Sequence, residues 1–514
     1  MASFKNEIDA LPVDVWIKIF DNIAELDTDA HRYPRSSLVK TSSTCRAFRS
    51  LALPLMCRTF IYHSFIVEPT PSQQIGSQQT RLVPPLDEID RELQRLEFFS
   101  SEPIASYVRH LELLPWKNPT TVIPETPLDN LDSMWRKFYQ VLPQFRNARS
   151  FQSSHTKFDA FTLQQISRLP QLKFVGLTCC KLLSPANISL HLHGFRIQNL
   201  PSTPESIYTP TVNLWLSLLD LNQLEHLCIK LNHAYPLFLP EFSSIGKFNS
   251  LISLEISMNT GVLRDFSLLL SETPRIQSLK LGFLSRNINE WKEVIEAYEL
   301  PLISPIPYLQ DYWGPYELLP FLIGRSTKSQ KLRRLYLESL SWPGEDFSVY
   351  LQLFSSSIYS QYLTDVTHFH VNIRSVKYSD LASLCAILTK LQSLSVEALY
   401  STQVITPETF LDDLINIPLS PHIQSLRLNW TASASEDIDA KHRETQAKLA
   451  SRFPLLKKVW LCDWRRSAFL WHRSASGRQT SMVLETRTQS NFIAAIRAHD
   501  GIFPDDFGPF ARYL

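Results

Sequence analysis

The sequence predicts an α/β protein: a small three-helix head, then an irregular solenoid of parallel strands with helices on its convex side. Three observations carry this. Short apolar phrases of the form LxxLxL recur along most of the 514 residues. Several segments between them show helical apolar spacing. The chain also opens on LPVDVWIKIF (11–20), a Pro-started, strongly apolar helix.

Composition narrows the function classes. Hydrophobic residues make up 44% and charged residues 20%, so the bulk is globular. A net charge of +1 gives no global field for a nucleic acid or an anionic membrane. Every apolar run is cut by a charge or Pro before about 18 residues, so no membrane span is expected. MASFKNEIDA places charges where a signal peptide needs an apolar core. The expected location is cytoplasmic, nuclear or both. The seven cysteines are odd in number and scattered, with no CxxC, and Cys179 and Cys180 read as ordinary thiols in or beside a strand. Only 12 glycines occur, and the closest pair is Gly501 and Gly508. That spacing excludes GxGxxG, GxxxxGK[ST] and GxSxG, so neither a phosphate cradle nor a nucleophile elbow is present. No cofactor is expected.

In the head, Pro12 marks a helix start, and Val15, Trp16, Ile19, Phe20 and Ile23 form a broad apolar stripe. After a polar break at 27–35, Ser36 or Ser37 can cap a second helix through Leu38 and Val39. CRAFRSLALPLMCRTF (45–60) reads as a third, with Cys45, Phe48, Leu51, Ala52 and Leu55 on its apolar side. About 50 residues carry more apolar surface than so small a core buries alone, which points to a partner. Leu11-Pro12, Ile19-Phe20 and Cys45-Arg46-Ala47-Phe48 resemble the elements of an F-box. The resemblance implies docking on a Skp-family adaptor, which joins the cullin scaffold of an SCF ubiquitin ligase. Carried over residue by residue, the implied contacts are Leu11, Pro12, Ile19, Phe20, Cys45 and Phe48.

EPTPSQQIGSQQTRLVPP (68–85) reads as a linker, and LDEIDRELQRLEFF after it as a helix. The repeats follow. Weaker copies are Val108/Leu111/Leu113 and Leu172/Val175/Leu177. Clear ones begin at Leu224/Leu227/Ile229, Leu251/Leu254/Ile256 and Ile276/Leu279/Leu281. They resume with Leu332/Leu335/Leu337, Val366/Phe369/Val371, Leu391/Leu394/Val396, Ile423/Leu426/Leu428 and Leu456/Val459/Leu461. Two extend to LxxLxLxxN, ending at Asn232 and Asn259. The alternating LxL turns its apolar residues to one side of a short strand, and the return segment covers that side. Helices are expected at 128–142, 287–298, 379–391 and 406–417. The gap from Leu281 to Leu332 hides a degenerate repeat with a Pro/aromatic loop at 301–316. One strand and one return per 25–34 residues is a parallel solenoid whose units need stacking. The pattern resembles leucine-rich repeats. The expected organisation is an F-box at 8–60, a linker and connecting helix at 61–105, the solenoid at 106–464 and a C-terminal cap or tail at 465–514.

If the LxL residues face the core, those between them form the open concave face. It gives His226, Lys230, Glu255, Lys280, Arg334, Tyr336, Glu338, His368, His370, Arg427 and Trp460 as candidate substrate contacts. Their mixed charge and aromatic content suit a protein client rather than a nucleic-acid backbone. His368-x-His370 and His191-x-His193 place imidazoles in pairs, without a third ligand at metal spacing. WRRSAFLWHRSASGR (464–478) reads as a solvated cap or loop, and 489–501 as a terminal helix stopping at Gly501. An F-box before leucine-rich repeats is a known architecture. It implies a non-catalytic substrate-recognition subunit. The competing reading is an interaction scaffold with no link to ubiquitin.

Overall fold

Helix α1 (Val13–Leu26) begins directly after Pro12, whose carbonyl accepts from the Val15 and Trp16 amides at 2.9 and 3.3 Å. This computed structural model describes residues 12–26, 36–64, 86–115, 129–183, 188–198, 212–230, 246–258, 266–283, 306–323, 332–338, 347–356, 362–373, 378–398, 418–430, 447–463, 467–473 and 479–485. Contacts divide the chain into two compact units, residues 1–224 and 225–512.

In the first unit, α2 (Ser36–Ser42) and α3 (Arg46–Met56) close a small core with α1. Both candidate capping serines already lie inside α2. Phe20, Leu38 and Ala52 are buried at its centre, ringed by Trp16, Ile23, Phe48, Leu51, Leu55 and Met56. Phe48 meets Trp16 at 4.8 Å and Phe20 edge-on at 5.4 Å. Cys45 caps α3, its sulfur accepting from the Phe48 amide. The helix stops at Met56 rather than running to 60. Pro54 removes one amide from its last turn, and Thr59-Phe60-Ile61-Tyr62 then favours extended backbone. These residues form β1 (Thr59–Ser64).

Then come α4 (Leu86–Ser100), α5 (Ile104–Tyr107), β2 (His110–Pro115) and α6 (Asp129–Val141). Next are β3 (Ser150–Ser154), the two-residue β4 (Lys157–Phe158), α7 (Ala160–Ser167) and β5 (Phe174–Thr178). The unit continues with β6 (Lys181–Leu182), β7 (Gly194–Gln198) and α8 (Val212–Leu216). Strands β1, β2, β3, β5 and β7 pair in that order, all parallel. Phe60 and Tyr62 on β1 align with Leu111 and Leu113 on β2, so the ladder starts within residues read as head and linker. Helices cover the same side as these residues: Phe99 of α4 stacks on Phe60 at 4.4 Å, and Phe138 of α6 on Tyr62 at 5.1 Å. Asp159 and Thr162 form a reciprocal capping box that starts α7.

The position of the repeat's asparagine is also filled here. Three residues past Ser153 and Leu177 lie Thr156 and Cys180, both buried. Thr156 Oγ1 lies 2.6 Å from Ser153 Oγ and 3.4 Å from Cys180 Sγ, and the thiol donates to the Ser153 carbonyl at 3.3 Å. Side chains thus tie successive turns together. Each follows a left-handed residue, His155 (φ 56) and Cys179 (φ 53). Asn232 and Asn259 lie outside the described residues.

The second unit is a run of parallel strands paired in chain order. They are β8 (His226–Lys230), β9 (Ser253–Met258), β10 (Ser278–Phe283), β11 (Asp311–Pro315) and β12 (Arg334–Glu338). The run continues through β13 (His368–Ile373), β14 (Ser393–Ala398), β15 (Ser425–Trp430) and β16 (Lys458–Asp463). Between them lie α9 (Phe266–Ser271), α10 (Leu319–Ile323), α11 (Phe347–Ser355) and α12 (Tyr378–Ile387). They pack on the LxL side: Phe354 of α11 meets Phe369 of β13 edge-on at 5.7 Å. The helices expected at 287–298, 406–417 and 489–501 lie outside the described residues.

Two expectations are corrected. The Pro/aromatic loop at 301–316 contains β11, which takes a full place between β10 and β12. The cap or loop at 464–478 contains β17 (Ser467–Arg473), antiparallel to β16 and continued by β18 (Gln479–Glu485). A hairpin therefore pairs with the last parallel strand.

Candidate binding faces

Helix α1 is apolar on more than its buried side. Trp16, Phe20 and Ile23 point into the core, but Val15 and Ile19, one turn apart, are 38% and 36% exposed. Ile17, on another side, is 43% exposed, and Val39 of α2 is 38% exposed. Of the residues carried over as adaptor contacts, Pro12 and Ile19 are exposed and Leu11 lies outside the described residues. Phe20 is a correction: at 1% exposure it fills the core and is unavailable to a partner. Cys45 serves as the cap of α3, and Phe48 is half-buried between Trp16 and Phe20. Sequence reasoning put Val15 and Ile19 in one stripe with Trp16 and Phe20. Only the position of the neighbouring helices separates the two sets.

In the second unit, strand register lines up one residue from each strand on the side away from the helices. The row reads Cys228, Glu255, Lys280, Trp313, Tyr336, His370, Ser395, Arg427 and Trp460. Its middle is one continuous stack. Lys280 Nζ sits 3.6 Å from the centre of the Trp313 ring. Trp313 stacks on Tyr336 at 3.7 Å, and Tyr336 on His370 at 3.5 Å. His370 Nδ1 then meets Ser395 Oγ at 2.7 Å. Parallel strands stand about 4.8 Å apart, so side chains in register are close enough to stack. Trp313 was missing from the sequence reading because its strand was read as a loop.

At one end of the stack, Glu255 is buried between two lysines. Its Oε1 lies 2.9 Å from Lys230 Nζ and 3.1 Å from Lys280 Nζ, and Cys228 Sγ donates to Oε2 at 3.3 Å. Burial pushes this carboxyl up, but the charges of Lys280 and Lys230 and hydrogen bonds from Lys230 and Cys228 outweigh it. The net shift is below the ordinary 4.5. Farther along the sheet, Arg334 of β12 forks onto the carboxylate of Asp311 on the neighbouring β11, with Nε donating to Oδ1 at 2.7 Å.

The eleven candidate contacts therefore divide. Lys230, Lys280 and Arg334 keep 41%, 24% and 37% of their side chains exposed, and His368 is exposed. Tyr336, His226 and Arg427 are half-buried. Glu255, His370 and Trp460 are corrections: at 7%, 5% and 3% exposure they brace the face rather than offer contact. Trp460 is paired with Leu470 of the hairpin strand, a neighbour its sequence position does not reveal. The side chain of Glu338 lies outside the described residues.

A folded-state carboxyl below its unfolded value stabilises above the unfolded pKa and loses that contribution as pH falls through the folded one. The second unit should therefore hold its stability at neutral pH and lose some below about 4.5. Glu255→Gln should lower the neutral-pH stability by about 1–3 kcal/mol and flatten the acid decline. Urea midpoints at pH 7 and pH 4 measure both; equal acid declines in the two proteins would refute the assignment.

Among the described residues, no three His, Cys, Asp or Glu side chains gather as a metal site, and no helix is long and apolar enough to cross a membrane. His191 of the second histidine pair lies 3.1 Å from Asp220. Cys179 and Cys180 are buried and not joined in a disulfide, and burial pushes the Cys180 thiol up. No protein-family model matches the chain, and no curated protein matches it.

Proposed function

We propose that this chain is a non-catalytic substrate-recognition subunit of an SCF-type ubiquitin ligase. Its head is an F-box that docks on a Skp-family adaptor and, through it, a cullin scaffold. Its leucine-rich repeats hold a protein client. The observation that carries the reading is the second apolar surface of α1, with Val15 and Ile19 exposed on a helix whose other side already closes a core. A helix apolar on two sides has one set of side chains to fold with and another to bind with. The row of the second unit supports the client half of the reading. Lys280, Trp313, Tyr336 and Arg334 combine cationic and aromatic character on a rigid strand scaffold, the mix favoured at protein-binding hot spots. The subunit does no bond chemistry; it supplies proximity and orientation.

The test is co-expression of the full chain with a Skp-family adaptor and cullin scaffold. The expected result is a stable complex that transfers ubiquitin to a bound client. Failure to bind a competent adaptor overturns the reading. Adaptor binding without a cullin-containing complex leaves an interaction scaffold in its place.

A further inference from the structure

The first unit carries a feature that the proposed function does not use. The residue just before each strand of its ladder is basic: Arg58 before β1, Arg109 before β2, Arg149 before β3, Lys173 before β5 and His193 before β7. Backbone hydrogen bonds hold these five in register. The amide of Arg109 donates to the Arg58 carbonyl, Arg149 to Arg109, Lys173 to Arg149 and His193 to Lys173, all at 2.7–2.8 Å. Arg58, Arg149 and Lys173 are exposed, while Arg109 and His193 are half-buried. None of the segments 56–60, 107–111, 147–151, 171–175 and 191–195 contains an Asp or Glu.

Like charges at successive steps of about 4.8 Å repel, and a row of five spans about 19 Å. Burial and the charges of Arg149 and Arg58 push the Arg109 guanidinium below its ordinary value. A folded chain of net charge +1 has no general excess of cations, so this column is a local concentration.

We infer that the column of Arg58, Arg109, Arg149, Lys173 and His193 is a binding track for an extended acidic peptide. Spacing and composition choose this occupant. An extended peptide advances about 3.1–3.4 Å per residue, so a run of acidic residues places a carboxylate within reach of every step. A single-stranded nucleic acid would also need large aromatic platforms for its bases, and none of the five positions is a Phe, Tyr or Trp.

The test uses the full chain and fluorescein-labelled octaglutamate, read by anisotropy at about 25 mM NaCl. A labelled thymidine nonamer, whose eight phosphodiesters match the eight glutamate side chains, is run beside it. Arg149→Ala/Lys173→Ala removes two exposed charges from the column. Lys247→Ala/Arg275→Ala removes two exposed charges from the second unit as a control. Circular dichroism checks that both variants fold. The expected result is peptide binding that the column variant weakens by about tenfold and the control by less than about twofold. Tighter binding of the nonamer, lost in the column variant, overturns the peptide assignment in favour of a nucleic acid. Binding of neither probe, or equal weakening by both variants, overturns the track itself.

Discussion

Phe20→Ala should destabilise the head by about 3–5 kcal/mol, whereas Val15→Ser/Ile19→Ser should leave it folded and cost adaptor binding about thirtyfold or more. The two changes lie on one helix and separate folding from docking. Phe20 is 1% exposed and touches Phe48 edge-on, so truncation empties a cavity that Leu38 and Ala52 line. Val15 and Ile19 are more than a third exposed, so trimming them removes little from the core. Hydrogen exchange over residues 13–56 reads the stability, and adaptor titration reads the affinity. Faster exchange is expected for Phe20→Ala alone. If the Val15/Ile19 variant unfolds the head, these side chains belong to the core after all. If it stays folded and binds the adaptor unchanged, α1 docks nothing through this side.

The strands were legible to the extent that leucine and its relatives mark them. All ten LxxLxL phrases became strands, because an alternating aliphatic pair has one favourable side to bury. Four further parallel strands use the same three buried positions with other residues. They are Cys57/Phe60/Tyr62, Ala148/Phe151/Ser153, Leu192/Phe195/Ile197 and Leu309/Tyr312/Gly314. Each has an aromatic residue in the second position. A large ring there lets the first or third residue shrink, as at Ala148, Ser153 and Gly314, and the total volume is kept. An aliphatic template misses such exchanges.

The candidate binding face was readable wherever the strands were. Lys280, Tyr336 and His370 follow from their place between LxL residues, and Trp313 was lost with its strand. Burial was not readable. Glu255 is covered because Lys230 and Lys280 come from the two neighbouring strands, and Trp460 because a hairpin pairs with its strand. The basic column is legible only in retrospect, since its members share a position relative to strands and no spacing in sequence.

The size exchange in β11 gives the sharpest test of this account. A Cβ on Gly314 would stand 2.7 Å from the Tyr312 hydroxyl oxygen, 3.0 Å from its Cζ and 3.1 Å from Leu281 Cβ. The glycine is there for space. The ring cannot easily retreat, because its hydroxyl donates to the Pro315 carbonyl at 2.7 Å. Gly314→Leu should therefore cost about 1–3 kcal/mol or more through overpacking. Tyr312→Leu alone should cost a similar amount by leaving a void. Together they rebuild the leucine pair that β10 and β12 already use, Leu279/Leu281 and Leu335/Leu337, directly alongside. The double variant should regain about half or more of the summed loss, a favourable coupling of about 0.5–3 kcal/mol. Urea midpoints of the four proteins measure it. Strict additivity would mean that Tyr312 does not occupy the space of the missing side chain. The consequence reaches the candidate binding face, because Trp313 stands between these two residues. If the exchange holds β11 in register, Gly314→Leu should also loosen the stack of Lys280, Trp313 and Tyr336, and the double variant should restore it.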